Sequence, residues 1–289
     1  QKGKKELFIN EYKVKKLTEF IGLFNVVFFS PDDLLLVKGS PALRRKYLDS
    51  EITQVSPQYF SYLQQYQKLL TQRNNLLKEI KQSKSSVDNL SIWDEQLIKI
   101  GARILAKRLE MHRRLKPLAR LAHRRLSSAQ EELEINYLSS LDIDLKNPHL
   151  ELKDLEAYFR QGLKQGLEED IYRGYTAVGP HRDDFELKIN GVNVKTFGSQ
   201  GQQRTAALSL KLAELEFMYS ETGEYPVLLL DDVLSELDRH RREQLLAAVT
   251  DRIQTFITCT ETDFVSPKLL EQAAVYGVKK GTLSKLSST

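Results

Sequence analysis

The pattern of apolar and polar positions along the chain predicts an α/β protein. Short apolar runs typical of buried strands occupy residues 26–29, 227–230 and 255–260. The run at 227–230 is of the kind that fills the centre of a parallel sheet. Period-two alternation predicts another strand at 133–137 and a hairpin that turns at Asn10. The pair Asn190-Gly191 is the strongest short hairpin signal in the chain.

Helical periodicity replaces this alternation in segments 57–81 and 91–126, which a polar break at 82–89 separates. The two segments are predicted to form an antiparallel hairpin, and Pro117 is expected to kink or interrupt the second helix. The side chains expected to pack along the seam are Tyr59, Leu63, Tyr66 and Leu70. Ser40-Pro41 has the cap and the first-position proline of a further helix start.

Two further segments complete the secondary-structure prediction. Residues 151–173 have the spacing of one amphipathic helix. The residues predicted on its buried side are Leu152, Leu155, Phe159, Leu163 and Leu167. The tail at 279–289 is rich in lysine, serine and threonine and is expected to be frayed.

Composition narrows the class of protein. The 289 residues are 28% charged and 41% hydrophobic, which is ordinary for a soluble globular protein. No apolar run approaches the roughly 20 residues of a membrane helix, and no secretory signal is present. The single cysteine, Cys259, excludes an internal disulfide framework, fits a reducing compartment and is expected to be packed. The net charge of +4 mildly favours polyanionic partners.

Most of the candidate binding and catalytic residues lie between Gly198 and Asp238. Two glycines allow a tight turn at 198–201, and Ser199 can cap the helix that follows. The free amides and positive dipole end of such a helix can hold a phosphate. The run at 227–230 ends on Asp231-Asp232, of which the first could hold Mg²⁺ through water and the second could orient or deprotonate a water. The alternatives are a plain helix cap and a capped loop.

Positive charge concentrates on the second long helix. Nine basic residues face one acid between Arg103 and Arg125, a bias that suits phosphate contacts. The residues predicted to contact DNA are Arg103, Lys107, Arg113, Arg114 and Arg120. The alternative is a solvated helical face. The same two interpretations apply to Arg44 and Arg45, for which the solvated face is favoured.

The turn Gly179-Pro180-His181-Arg182-Asp183-Asp184 combines a histidine with two aspartates. Its spacing matches no established metal-site pattern, so a charged cluster beside the turn at 198–202 is the favoured interpretation.

Several motifs resemble the RecF family, whose head domain is of the ABC/SMC ATPase type. The motifs are GPHRDD at 179–184, FGSQGQQRT at 197–205, YPVLLLDDVLSELD at 225–238, VVFFSPDDLLLVKGSPALRRKYLD at 26–49, QRNNLLK at 72–78 and WDEQL at 93–97. The resemblance covers nearly the whole chain. It implies an α/β P-loop NTPase fold of the ABC/SMC head type with an inserted α-helical arm. The implied domains are the first part of the head at 1–39, the arm at 40–130 and the signature, Walker B and D-loop lobe at 131–289.

The resemblance also implies a site and a function. The signature residues that the resemblance implies would bind ATP held by the other subunit of a homodimer. These residues are Ser199, Gln200, Gly201 and Gln202. Asp231 would hold Mg²⁺ through water, Asp232 would act on the attacking water, and Ser235 and Asp238 would form the D-loop. The implied activity is slow ATP hydrolysis that controls binding of DNA at gaps or single-strand/double-strand junctions. With RecR and RecO it would help load RecA during replication, repair and the SOS response, in the cytoplasm at the nucleoid.

The sequence also departs from a complete ATPase. It contains no G-x-x-x-x-G-K-[ST] phosphate loop, which in the family lies upstream of residue 1, so a truncated piece that is inactive alone is expected. A histidine switch is not predicted, because Thr258 to Thr260 occupy the end of its strand. The alternative function is a non-catalytic DNA-binding or adaptor module on an ATPase-like scaffold. An SMC-like tether is disfavoured because the arm is too short for a long coiled coil.

Overall fold

The computed structural model of the chain describes residues 6–14, 19–147 and 149–286. The strands are β1 (Leu7–Ile9), β2 (Tyr12–Val14), β3 (Val26–Phe29), β4 (Leu133–Leu138), β5 (Asp184–Ile189), β6 (Val192–Asn193), β7 (Val227–Asp231), β8 (Thr255–Thr258), β9 (Tyr276–Lys279) and β10 (Thr282–Lys285). The α-helices are α1 (Leu35–Lys38), α2 (Pro41–Val55), α3 (Pro57–Lys81), α4 (Leu90–Leu126), α5 (Leu152–Gln165), α6 (Leu167–Arg173), α7 (Val194–Phe197), α8 (Gln200–Thr222), α9 (Arg239–Val249) and α10 (Pro267–Gln272).

Strands β3, β7 and β8 form a parallel sheet in which β7 lies in the middle, as its apolar run predicts. One face of this sheet is buried, because Val27 and Leu230 have almost no exposed surface. On the other face Phe28 is 48% and Phe256 is 58% exposed. The prediction of fully buried strands is therefore wrong for β3 and β8, each of which packs through one face only in the described residues.

Both hairpins predicted from local sequence are present. In the first, Ile9 pairs with Tyr12, and Asn10 and Glu11 have positive φ of 46° and 71°. In the second, Ile189 pairs with Val192 across Asn190 and Gly191, whose φ values are 51° and 78°. Such two-residue turns suit the twist of antiparallel strands, and they favour asparagine and glycine because both central residues are left-handed. The second hairpin extends the antiparallel sheet β4-β5-β6.

Helices α3 and α4 form the predicted hairpin around the polar break. Tyr59, Tyr66 and Leu70 are buried in its seam, as predicted. Pro117 lies within α4 without interrupting the helix, so a break there is excluded. The buried side chains of α4 and of α8 belong to one hydrophobic cluster with β4 and β7. The base of the hairpin therefore shares its core with the rest of the protein, while the three-part domain division remains a prediction.

The predicted helix at 151–173 is divided into α5 and α6 at Gly166. Leu155, Phe159 and Leu163 are buried as predicted, but Leu152 is 39% exposed. Leu152 is the first residue of α5. The single continuous helix and the burial of Leu152 were therefore wrong predictions.

The C-terminal region also differs from expectation. β9 and β10 pair as an antiparallel hairpin, with positive φ at Lys280 and Gly281, where a frayed tail was predicted. The remainder of that predicted tail, at 287–289, lies outside the described residues. Cys259 is exposed rather than packed, because it follows the end of the edge strand β8. Within the described ranges, every helix is too short or too polar to cross a membrane.

Candidate functional site

The amino-terminal end of α8 is built as a reciprocal cap. Ser199 Oγ accepts a hydrogen bond from the Gln202 amide at 3.2 Å, and Gln202 Oε1 accepts one from the Ser199 amide at 2.9 Å. Ser199 and Gln200 are exposed, and Gly201 and Gln202 are half-buried. The amides of Gln200 and Gly201 have no acceptor within the described residues. The predicted cap is confirmed, and two amides remain available at the surface to an anion.

Gly198 is required by the tight turn that ends α7. A Cβ atom at residue 198 would lie 2.6 Å from the carbonyl oxygen of Val194 and 2.8 Å from its Cγ1. By contrast, a Cβ at Gly201 would lie 3.8 Å from the guanidinium of Arg241 and would meet nothing closer. The first glycine therefore fixes the turn, while the second leaves the helix end unobstructed.

A buried network holds the side chain of Gln202. Its Nε2 donates to Glu131 Oε1 at 2.9 Å, and Glu131 Oε2 lies 3.2 Å from His123 Nε2. His123 Nδ1 lies 3.0 Å from Ser209 Oγ on α8. Burial is the main cause that lowers the pKa of His123, which has no exposed surface. Sequence analysis missed this network because no local motif connects α4, the loop after it and α8.

Asp231 and Asp232 lie at the carboxyl end of β7, as predicted, and both are exposed. Thr258 Oγ1 donates to Asp231 Oδ1 at 2.6 Å and accepts from the Asp232 amide at 3.1 Å. Asp232 has φ of 53°, a left-handed conformation that aspartate tolerates better than most residues. Thr258 therefore fixes the position of both aspartates, a role that the sequence did not indicate.

The segment after Asp232 connects this edge to α8. Ser235 Oγ donates to the Asp232 carbonyl at 2.8 Å, and Asp238 caps α9 by accepting from the Arg241 amide at 2.9 Å. That backbone hydrogen bond is the main cause that lowers the pKa of Asp238. Arg204 of α8 donates to the Glu236 carbonyl at 3.2 Å and pairs with the Glu236 carboxylate. The turn at 198–202 and the segment at 235–238 are thus attached to each other.

The predicted basic face of α4 is partly neutralised. Lys107 pairs with Glu110 at 2.9 Å, Arg114 pairs with Glu110 and Glu221, and Arg120 pairs with Glu132. Arg103 is exposed and lies 5.4 Å from the centre of the Tyr62 ring. Arg113 is exposed and forms no ion pair within the described residues.

Arg108 belongs to the same helix but lies in the core, 2% exposed. Its Nε and Nη2 donate to the Asp49 carboxylate, each at 2.9 Å, and Nη1 donates to the Pro180 carbonyl. Burial in such a fork removes Arg108 from any contact with solvent or with DNA.

Arg44 and Arg45 do not form the solvated face that was predicted. Arg44 is 5% exposed and pairs with Asp184 at 2.6 Å, while Arg45 donates to the Asp183 carbonyl at 2.9 Å. The interpretation was wrong because the turn at 179–184 packs against α2, which periodicity alone does not reveal.

The turn at 179–184 is a hydrogen-bonded cluster. Asp183 accepts from Tyr137 Oη at 2.7 Å and from the Ser140 amide at 2.8 Å, and His181 Nδ1 accepts from Tyr66 Oη at 2.8 Å. Across the described parts of the chain, no group of three or more histidine, cysteine, aspartate or glutamate side chains is placed to hold a metal. The hydrogen bonds of the cluster go to α2, β4 and the helical hairpin, and its place beside the turn at 198–202 remains a prediction.

Known proteins similar to this chain point to one family. The DNA replication and repair protein RecF of Halothermothrix orenii is 48% identical over 285 residues, which cover 98% of this chain and 76% of that protein. RecF of Bacillus cereus strain B4264 is 46% identical over 284 residues, with 98% and 75% covered. No protein-family model matches the chain.

Solved structures agree with the sequence relatives. The recombination mediator protein RecF-ATPrS of the RecFOR pathway superposes with a TM-score of 0.87 at 40% identity, over 99% of this chain and 74% of that one. The RecF-ATP structure gives 0.86 at 39% identity over the same shares. Together with the central strand that ends on paired aspartates, this likeness defines an α/β ATPase head of the ABC/SMC type. The chain belongs to the RecF family.

Proposed function

We propose that this protein is a recombination mediator in which ATP controls a homodimer that binds DNA. The observation that carries the proposal is the capped end of α8, which presents two unpaired amides at the surface beside the segment at 235–238. A site completed by a second copy needs such a surface, because each copy must offer amides that no group of its own uses. The RecF relatives support the same function.

In the proposed dimer, the Ser199 hydroxyl and the unpaired amides of Gln200 and Gly201 complete the binding of a γ-phosphate carried by the other copy. Gln202 holds this turn in place, because its own amide donates to Ser199 Oγ. ATP favours the dimer because only that state binds the phosphate from both sides. Ser235 and Asp238 belong to the segment that Arg204 joins to α8 through Glu236. Arg241, whose amide donates to Asp238, has its guanidinium beside Gly201. Hydrolysis removes this difference in affinity and releases the two copies.

The carboxylates after β7 fit a magnesium ion and a hydrolytic water. Thr258 uses Asp231 Oδ1, while Asp231 Oδ2 has no hydrogen-bond partner among the described residues and stays available to a metal-bound water. Mg²⁺ at this place would neutralise the charge of the phosphates. Asp232 orients or deprotonates the attacking water. Its backbone amide donates to Thr258 Oγ1, which fixes the position of the carboxylate. The Asp232 side chain is one methylene shorter than that of glutamate, which suits slow hydrolysis of ATP.

DNA contact is proposed for five cations of α4, which are Arg103, Lys107, Arg113, Arg114 and Arg120. Three of them form solvent-exposed ion pairs, which contribute little stability and can be exchanged for phosphates. We propose gaps or single-strand/double-strand junctions as the target, RecR and RecO as partners in loading RecA, and the nucleoid as the location. Repair in the SOS response belongs to the same proposal.

Light scattering tests this function in an extended protein, in which the family's upstream phosphate-loop segment precedes Gln1. ATP should convert the extended protein from monomer to dimer, and Ser199→Arg should prevent the conversion by placing a bulky cation at the helix end. Ser91→Arg, at the exposed tip of the helical hairpin, is the matched control and should dimerise normally. A dimer that persists in Ser199→Arg would contradict the proposed interface.

A non-catalytic DNA-binding or adaptor module is the second candidate. It is favoured by the basic face of α4, where Arg113 forms no ion pair within the described residues and could contact DNA without nucleotide. Nucleotide binding measured on the 289-residue chain and on the extended protein separates the two functions. Binding by the extended protein alone supports the ATPase, whereas binding by neither protein supports the adaptor.

A further inference from the structure

A cavity of about 350 Å³ opens beside the basic helix α4 and lies outside the site at the end of α8. It is bounded by α4, β4, residues 145–147 and 150 of the loop after β4, and α5. Its apolar part is formed by Leu109, Leu145, Leu150 and Leu155. A cavity of this size with an apolar interior and a few polar groups is typical of a site for one small organic group.

The charged groups that line the cavity are all positive. Arg113 and Lys116 come from α4, and Lys146 comes from the loop. None of these three pairs with a carboxylate in residues 6–14, 19–147 and 149–286. Among the other cations of α4, Lys107, Arg114 and Arg120 are paired. Three unpaired cations therefore lie together at the cavity, where an anionic group would meet no acidic neighbour in the lining.

Three polar side chains add directional hydrogen bonding. Asn147 uses its Oδ1 to accept from the His149 amide at 2.9 Å, and its NH₂ group has no acceptor in the described residues. Asn136 makes only a long contact, with Nδ2 at 3.5 Å from Glu186 Oε1. His112 donates from Nε2 to the Ile135 carbonyl at 3.0 Å, which leaves Nδ1 as an acceptor in the neutral ring. Burial is the main cause that lowers the pKa of His112, with Lys116 and Arg113 adding to the effect.

The cations continue away from the cavity along one side of α4. Arg113, Lys116, Arg120 and Arg124 are spaced three, four and four residues apart, so they lie on one face of the helix. At about 1.5 Å per residue this track is roughly 16 Å long, which equals the rise of four to five duplex nucleotides at about 3.4 Å each. A regular series of cations suits the regular charges of a nucleic-acid backbone better than it suits a peptide.

We propose that this cavity holds one unstacked nucleotide of a DNA strand that lies along the track. The base packs among the leucines, its edge bonds to Asn136 and Asn147, and its phosphate lies against Arg113 and Lys116. Every base has apolar faces and donors and acceptors at its edge, so the site needs no particular sequence. This inference rests on the proposed function, because it concerns how the same DNA is bound, and it favours junctions, where a base can leave the stack at low cost.

The test uses the extended protein with ATP and an oligonucleotide with 2-aminopurine at the first unpaired position of a single-strand/double-strand junction. Binding should brighten the probe, because its emission rises when the base leaves the stack. Ala106→Phe, which fills the cavity, and Asn147→Leu, on the exposed loop, should abolish the brightening and weaken junction binding by about fivefold or more. Their affinity for fully paired duplex should not change. Ala157→Phe, on the exposed side of α5, is the matched control and should behave as wild type.

The outcomes separate the two claims. If the extended wild-type protein binds no DNA, the proposed function fails and this inference fails with it. If it binds DNA but the probe stays dark, or brightens equally in an Ala106→Phe protein of unchanged melting temperature, only the inference fails. Binding of free dAMP, or of an acidic leucine-containing peptide, that Ala106→Phe abolishes while the junction probe is unaffected would assign the cavity to that ligand and overturn the proposal.

Discussion

The Gln202 side chain donates to the Glu131 carboxylate at 2.9 Å, which connects the predicted phosphate-binding turn to the end of the long helix α4. Glu131 also contacts His123, which is buried between α4 and α8. The same Gln202 forms half of the cap of α8 through its Oε1. Its amide group is therefore held at both ends, so the turn at 198–202 has one defined conformation before any nucleotide binds.

Removing this carboxylate should weaken the ATP-dependent dimer of the extended protein. Glu131→Ala leaves Gln202 free to rotate. Loss of a hydrogen bond of about 1 kcal/mol at each of the dimer's two turns corresponds to roughly thirtyfold in the dimerisation constant. Analytical ultracentrifugation with ATP measures this constant. Glu132→Ala removes the neighbouring carboxylate, which pairs with Arg120 instead, and should leave the constant unchanged. Equal constants for both variants would show that Glu131 does not position the turn.

A buried ion pair joins the helical hairpin to α6. Arg73 and Asp170 both have 0% exposed surface and lie 2.6 Å apart, and Arg73 also pairs with Asp94. Arg73→Met should lower the free energy of unfolding by about 3–5 kcal/mol, because the Asp170 carboxylate would be left buried without a cation to pair with. Arg73→Met/Asp170→Leu should recover most of this loss.

Urea unfolding measures both variants. The exposed pair Arg160–Glu95 is the control, and Arg160→Met should cost less than about 1 kcal/mol. A small effect of Arg73→Met, or a double variant no more stable than the single one, would contradict this account of the pair.

His181 should make stability depend on pH. Burial lowers the pKa of His181 to about 4, from the ordinary value near 6.5. Below about pH 6.5 the unfolded chain takes up a proton that the folded chain refuses, so stability should fall by about 3 kcal/mol as the pH drops to about 4. His181→Gln should remove this change of the free energy of unfolding with pH, measured by urea unfolding at several pH values. His149→Gln, at an exposed position, should show the same pH dependence as the wild type.

The basic face of α4 should give DNA binding a measurable salt dependence. Arg113→Gln and Arg120→Gln should each reduce the slope of log affinity against log salt by about 1, if each cation contacts one phosphate. Fluorescence anisotropy at several salt concentrations gives the slope. Arg160→Gln, on the exposed side of α5, is the control. An unchanged slope in both variants would remove this face from the DNA-binding surface.

Local sequence predicted those parts of the fold that depend on local physics. The hairpin at Asn190-Gly191, the cap at Ser199 and the central strand at 227–230 follow from backbone preference and apolar composition over a few residues. The β9–β10 hairpin was missed because its Lys280-Gly281 turn lies in a polar segment that resembles a loose tail.

The parts that were missed depend on contacts distant in sequence. The sequence pattern places Arg44 and Arg108 among the surface cations. In the structure both are buried, Arg44 against Asp184 and Arg108 against Asp49 and the Pro180 carbonyl. Thr258 reads as a strand residue, and its role follows from the pairing of β7 with β8. Periodicity assigns a face to a helix, but it does not say which other segment covers that face.

The central claim is that the α8 end of one copy acts on nucleotide held by another copy. A mixing experiment with the extended protein tests it most directly, using Ser199→Ala/Gln202→Ala and Asp232→Asn, each of which should hydrolyse little ATP alone. In a mixed dimer one site combines the intact aspartate of one copy with the intact turn of the other. Random mixing should therefore restore about a quarter of the wild-type rate of phosphate release. A mixture no more active than the sum of its two components would contradict the claim.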